Sequence, residues 1–168
     1  MLQVQAWYFS NTWAHIALSK CDLVEFAGRQ YTWEIIEEWG LCYADTGNVI
    51  LNSKDTGWKA ETLHHIGILR YSKDGSAQYD TFRERFLFPI TDHLGNVLAF
   101  GGRKHTDDTK KSNPKYVNSP ETDIYDKSQV LYGLSQNRKH IRQANTALLV
   151  EGYTDVVSLA QAGVPTEI

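Results

Sequence analysis

The chain has 168 residues, room for one domain or two small ones, and its 42% hydrophobic and 12% aromatic content supports a packed core and argues against disorder. The formal net charge of -3 excludes a uniformly basic nucleic-acid binder, but the charge is unevenly divided: residues 1–80 carry 6 basic and 10 acidic residues, and residues 81–168 carry 11 and 10. No run of 18 apolar residues and no positively charged leader followed by an apolar segment occurs, so neither a membrane span nor a signal peptide is indicated, and the expected compartment is the cytoplasm.

Residues 1–80 are expected to form a mainly helical lead-in. Tyr31 to Gly40 suggests a helix, with Thr32 as its N-cap, Ile35, Ile36 and Trp39 as its apolar contacts and Gly40 as its stop signal. A second short helix is expected over Ala60 to His65. Ile68 to Tyr71 reads as a strand, and Asp74-Gly75 inside Ser72 to Ser76 carries the signal of a hairpin turn. Trp7, Trp13, Trp33, Trp39 and Trp58 are read as packing residues rather than base-stacking platforms. Cys21 and Cys42 cannot make a four-ligand zinc site and are read as reduced and structural. His64 and His65 are read as ordinary surface, because adjacent helical side chains point apart.

The middle of the chain is richer. Arg85 to Ile90 and Val97 to Arg103 are two strand-like runs separated by Thr91-Asp92-His93-Leu94-Gly95-Asn96, which predicts a hairpin. Pro89 must then lie at an edge or bulge, and Gly101-Gly102 leaves room for another chain or for phosphates just before Arg103. Between Arg103 and Lys115 stand five basic residues against Asp107 and Asp108, in a stretch too polar for a core element. Such a run is usually a solvated face, and it is also a loop able to hold phosphates. Asn113 to Lys127 reads as an extended loop with two prolines, and a long ordered loop in a compact domain usually has a function.

The last informative stretch is Thr146 to Gly163. Ala147 to Val150 is a short apolar run that reads as a buried strand, Gly152 permits a sharp turn, and a helix follows with Thr154 as N-cap and Gly163-Val164-Pro165 as its stop. Glu151 then sits at the strand's carboxyl end, where open α/β sheets place ligands. A carboxylate there can bind Mg²⁺ or exchange a proton with a hydroxyl, with Asp155 in the first helical turn to assist. The bland alternative is a pair of surface acids beside a helix dipole.

Glu-Gly-Tyr-x-Asp-Val-Val after a strand resembles the first motif of the toprim domain, in the version found in bacterial DnaG-type DNA primases. Arg-x-Arg-x-x-Phe-Pro-Ile from Arg83, Phe-Gly-Gly-Arg, Pro-Lys-Tyr-x-Asn-Ser-Pro-Glu-Thr and Leu-Tyr-Gly-Leu occur in the order of that family's catalytic core. The resemblance is close over residues 81–164 and loose from Thr32 to Ile68. It implies a mixed α/β fold: the lead-in over 1–80, a basic amino-terminal subdomain with hairpin and nucleic-acid-binding loop over 81–145, and the start of a truncated toprim domain over 146–168.

Carried over by motif, the resemblance makes Glu151 catalytic and a metal ligand, and Asp155 a second metal ligand. Arg103 and Lys115 would contact nucleic acid or nucleotide phosphates, with Arg83, Arg85, Asn118 and Lys127 in supporting roles. The implied cofactor is Mg²⁺ or Mn²⁺, and the implied partners are single-stranded DNA template, RNA primer, nucleoside triphosphates and, for the full-length family, a replicative helicase. The family's Asp-x-Asp motif does not occur in this sequence, nor do its zinc-binding and helicase-binding domains. The expectation is therefore a primase fragment that is inactive alone. The alternative is a single-stranded nucleic-acid-binding module without catalysis, and a toprim nuclease or topoisomerase fits the middle motifs less well.

Overall fold

The computed structural model describes residues 1, 3–6, 23–45, 50, 57–105, 114–164 and 166–167; Trp7, Trp13, Cys21, Lys110 and Lys111 lie outside the described residues. In chain order the elements are β1 (Leu23–Phe26), β2 (Arg29–Thr32), α1 (Trp33–Trp39), β3 (Cys42–Ala44), α2 (Ala60–His65), β4 (Leu69–Tyr71), β5 (Gln78–Asp80), β6 (Arg85–Thr91) and β7 (Val97–Lys104). There follow β8 (Tyr116–Asn118), a 3₁₀ turn (Lys127–Gln129), α3 (Leu134–Ala144), β9 (Leu148–Leu149), α4 (Tyr153–Gln161) and β10 (Thr166–Glu167).

A four-stranded antiparallel sheet in the order β3-β6-β7-β8 is the centre of the molecule. Its middle is the expected β6–β7 hairpin, whose turn is held by the Asp92 carboxylate accepting from the amides of Leu94 at 2.8 Å and Asn96 at 2.9 Å. Pro89 can occupy β6 because β3 pairs with β6 only over Arg85 to Leu87.

Alternation along the strands sends side chains to two separate cores. On one face Phe86, Phe88, Ile90 and Ala99 pack with Phe26 and Tyr31 of the β1–β2 hairpin, Ile36 and Trp39 of α1, and Val156 and Val157 of α4. On the other face Cys42, Ala44, Leu87 and Phe100 pack with Leu63 of α2, Leu69 of β4, and Phe82. Trp33 and Trp58 pack partly buried against these cores, as expected of structural tryptophans, and Cys42 is a fully buried free thiol.

Several local signals act as read from the sequence. Thr32 caps α1 by accepting the Ile35 amide at 3.4 Å, and Gly40 ends the helix at φ 58°, in the left-handed region that glycine enters without strain.

Four expectations are corrected. Among the described residues of 1–80 helix is not dominant: β1 to β5 stand beside α1 and α2, each strand three or four residues long and too short to show a period. The stretch read as an extended loop contributes an edge strand, β8. The apolar run before Glu151 is not buried: Leu148 is 46% and Leu149 66% exposed, and the strand has one paired neighbour, β10, among the described residues. The N-cap of α4 is Gly152, and Thr154 lies buried within the helix.

Candidate nucleic-acid interface

The position of Glu151 is set by the way α4 is docked. Tyr153, the first residue of the helix, lays its ring over β7 at Gly101, stacks on Phe88 with centroids 5.4 Å apart, and meets Tyr132 edge-on at 4.8 Å. Its hydroxyl donates to Asn118 Oδ1 at 3.0 Å. Burial raises the pKa of that phenol far above its ordinary value, so it stays a donor at any physiological pH.

The β1–β2 hairpin holds the same helix from the other side. Tyr31 Oη donates to the Thr154 carbonyl at 3.0 Å, and Gln161 accepts the Thr32 amide at 2.8 Å while donating to the Gln30 carbonyl at 3.2 Å. Glu151 itself is exposed, two residues after β9 and two before Tyr153.

Strand register then brings the predicted binding residues to the helix. Gly101 and Arg103 are two apart on β7 and share a face; their partners on β8 are Asn118 and Tyr116. Arg103, Tyr116 and Asn118 therefore share the face on which Tyr153 packs. The Arg103 guanidinium reaches the β1–β2 turn, where a Cβ on Gly28 would lie 3.5 Å from its Nη2. Ala27 and Gly28 form that turn at φ 56° and 75°, the two left-handed residues of a tight hairpin. The next residue, Arg29, pairs with Asp155 at 3.5 Å.

The remaining predicted residues are placed differently. Lys115 is exposed in the bend before β8, and its carbonyl accepts the Lys104 amide at 2.8 Å. Arg85 is only 4% exposed, and its guanidinium donates to the carbonyls of Gly102 at 3.3 Å, Lys115 at 3.3 Å and Pro114 at 2.9 Å. It fastens the segment entering β8 and so fixes the backbone under Lys115. Arg83 is exposed and lies over the Tyr79 ring. Lys127 is exposed on the 3₁₀ turn.

The Gly101-Gly102 reading is corrected as well. What these glycines admit is the chain's own rings: a Cβ on Gly101 would collide with Tyr153, and one on Gly102 would lie 2.7 Å from Phe82 Cδ1. Sequence reasoning missed Arg29 and Tyr116. Tyr116 was visible inside the Pro-Lys-Tyr string, whereas Arg29 stands in no motif. Glu151 and Asp155 supply two carboxylates, and no group of three possible metal ligands occurs among the described residues.

The family model for the DNA primase catalytic core, N-terminal domain, matches residues 18–138. The chain is 41% identical over 138 residues to the DNA primase of Pseudomonas putida, covering 81% of this chain and 20% of that protein. It is 40% identical over 151 residues to the DNA primase of Escherichia coli K12, covering 89% and 25%. Its fold is similar to that of a DnaG primase catalytic domain bound to ssDNA, with TM-score 0.76 and 34% identity over 99% of this chain and 51% of that one. The chain thus spans a fifth to a quarter of the curated relatives it matches. With the family model matching well over half of its residues, and the mixed α/β architecture shared with solved primase cores, the chain belongs to the DNA primase catalytic core, N-terminal domain family.

Proposed function

We propose that this chain forms the template-gripping part of a DNA-dependent RNA polymerase that makes short primers, together with the first acids of its toprim site. The observation that carries the reading is the meeting of Arg103, Tyr116 and Asn118 with the amino end of α4, two residues beyond Glu151. The likeness to a catalytic domain bound to ssDNA supports a single-stranded template as the ligand.

In this reading Arg103 forms paired hydrogen bonds to a backbone phosphate, Lys115 acts as a point charge on a neighbouring one, and Tyr116, 41% exposed, offers its ring to a base. Arg83, Asn118 and Lys127 support the strand, and Arg85 acts through the backbone it fastens. Phosphate contacts carry little sequence information, so grip should depend weakly on template sequence. Glu151 Oε accepts the proton of the primer 3′ hydroxyl as that oxygen bonds to the α-phosphorus of a nucleoside triphosphate, the bond to the β-phosphate breaks and pyrophosphate leaves.

Oxygen donors of this kind take Mg²⁺ or Mn²⁺. Two carboxylates, one of them paired with Arg29, do not by themselves make such a site. Primer, nucleotides and a replicative helicase belong to the same proposal, as does a cytoplasmic setting; no helix among the described residues is long and apolar enough to cross a membrane.

The test is single-stranded DNA binding across a salt series. Arg103→Ala and Lys115→Ala should each weaken binding and reduce the slope of log affinity against log salt by about 0.7. Unchanged affinity and slope in both variants would defeat the template role.

A further inference from the structure

A second grouping of cations and rings lies on the β4–β5 hairpin. Arg70 and Tyr79 are direct cross-strand partners, so their side chains share one face. Arg83, a few residues past β5, is exposed and lays its guanidinium carbon 5.0 Å from the centre of the Tyr79 ring, within cation–π range.

The hairpin meets the central sheet at β8, whose Asn118 also belongs to the Arg103–Tyr116 surface. β8 is the edge strand of its sheet, and Arg70 Nη2 donates to the Asn118 carbonyl at 3.4 Å. The Asn118 side chain meanwhile accepts from Tyr153. One residue thus joins the two groupings, through its backbone on one side and its amide on the other. The Arg70 Nε is itself buried and has no hydrogen-bond partner among the described residues, so a phosphate would be met by the outer guanidinium nitrogens.

We infer that this hairpin face is a stacking subsite for single-stranded nucleic acid, in which one base lies on the guanidinium plane of Arg83, backed by the Tyr79 ring, while Arg70 donates to the adjoining phosphate. The inference rests on the proposed template reading and lengthens the track it implies. A single strand is the ligand the chemistry selects. A guanidinium is planar, and an exposed one set over a ring offers a face that any unpaired base can cover, whereas bases inside a duplex are already stacked.

The distinguishing experiment separates the plane of Arg83 from its charge. Arg83→Lys keeps the charge and removes the plane, and Tyr79→Leu removes the backing ring. The 168-residue chain and both variants are titrated with oligothymidylates of about 6 and about 16 nucleotides, lengths that bracket a compact and an extended single-strand footprint. Both variants should bind the longer strand about 10-fold more weakly and lose markedly less on the shorter one. The Arg83→Lys salt slope should not change, because the count of phosphate charges neutralised is the same. Parent-like binding of the longer strand by Arg83→Lys would show that charge alone suffices and overturn the subsite. So would an equal loss on both lengths, which would assign Arg83 to the Arg103 surface. A parent chain that binds neither strand would instead refute the template reading itself. Should Tyr79→Leu fail to fold, the exposed Arg83→Lys variant still decides.

Discussion

Gly101→Ala tests the docking of α4 most directly. A methyl group there would lie 2.7 Å from Tyr153 Cζ and 3.1 Å from Cδ2, with Cε2 nearer still. The ring has little room to retreat, since it is stacked on Phe88 and abutted by Tyr132. Overpacking of this kind costs about 1–3 kcal/mol. The backbone of Gly101 is outside the left-handed region, so alanine adds no backbone strain and offsets about 0.4–1 kcal/mol by restricting the unfolded chain. The net loss of about 1–2 kcal/mol should lower Tm by about 2–8 °C in a chain of this size. The assay is urea and thermal unfolding of the single variant, of Tyr153→Leu, and of the double variant. In the double variant the collision is gone, so its cost should fall short of the sum of the singles by about 1 kcal/mol. Gly102→Ala is the matched control: it meets Phe82 and the Arg85 stem on the opposite face and should destabilise without moving α4. A Gly101→Ala variant within about 0.5 kcal/mol of the parent, with additive behaviour in the double variant, would refute the packing argument.

Tyr31→Phe removes a buried donor to the Thr154 carbonyl and should cost about 1 kcal/mol, read by chemical denaturation. Gln161→Ala releases both hydrogen bonds that tie the far end of α4 to β2 and should cost about 0.5–1.5 kcal/mol; a neutral result would show that the first helical turn alone docks the helix. The Asp74 carboxyl is pushed down to about 2 by hydrogen bonds from Ser72 and Ser76. A depressed acid stabilises above its unfolded pKa of about 3.9 and loses that contribution as pH falls through its folded value. Asp74→Asn should therefore melt below the parent at pH 7 and converge with it near pH 2, which a Tm series across that window reads.

Legibility from the sequence followed the range of the interactions. Thr32 and Gly40 were readable because a cap and a stop are contained within one helix, and the β6–β7 hairpin was readable because its two runs and its turn are contiguous. β1 and β2 left no trace: they are four residues each, and their turn places Ala27 at a left-handed position where Asn, Asp or Gly is the usual signal. Arg85 shows the limit for side chains. The string Arg-x-Arg marks two cations alike, and only the register of β6 against β7 turns Arg85 toward the carbonyls of Gly102, Pro114 and Lys115 while Arg83 stays outside.

The same limit governs the candidate site. Glu151 is exposed, and the strand before it is a two-residue pairing, so its place is inherited from the helix that follows it. That helix is held by Tyr31, 123 residues from Thr154, by Thr32, 129 residues from Gln161, and by Asn118, 35 residues from Tyr153. The Arg29–Asp155 pair, half-exposed at 3.5 Å, adds at most about 1 kcal/mol and cannot be the fastening. A motif such as Glu-Gly-Tyr-x-Asp therefore names the acid, while the tyrosine inside it does the placing, by filling the gap that Gly101 leaves and by reaching the residue that also borders the Arg103 surface. Acid and cations are coupled through that ring, so a change at Tyr153 should disturb both, whereas a change at Arg29 should leave the helix where it is.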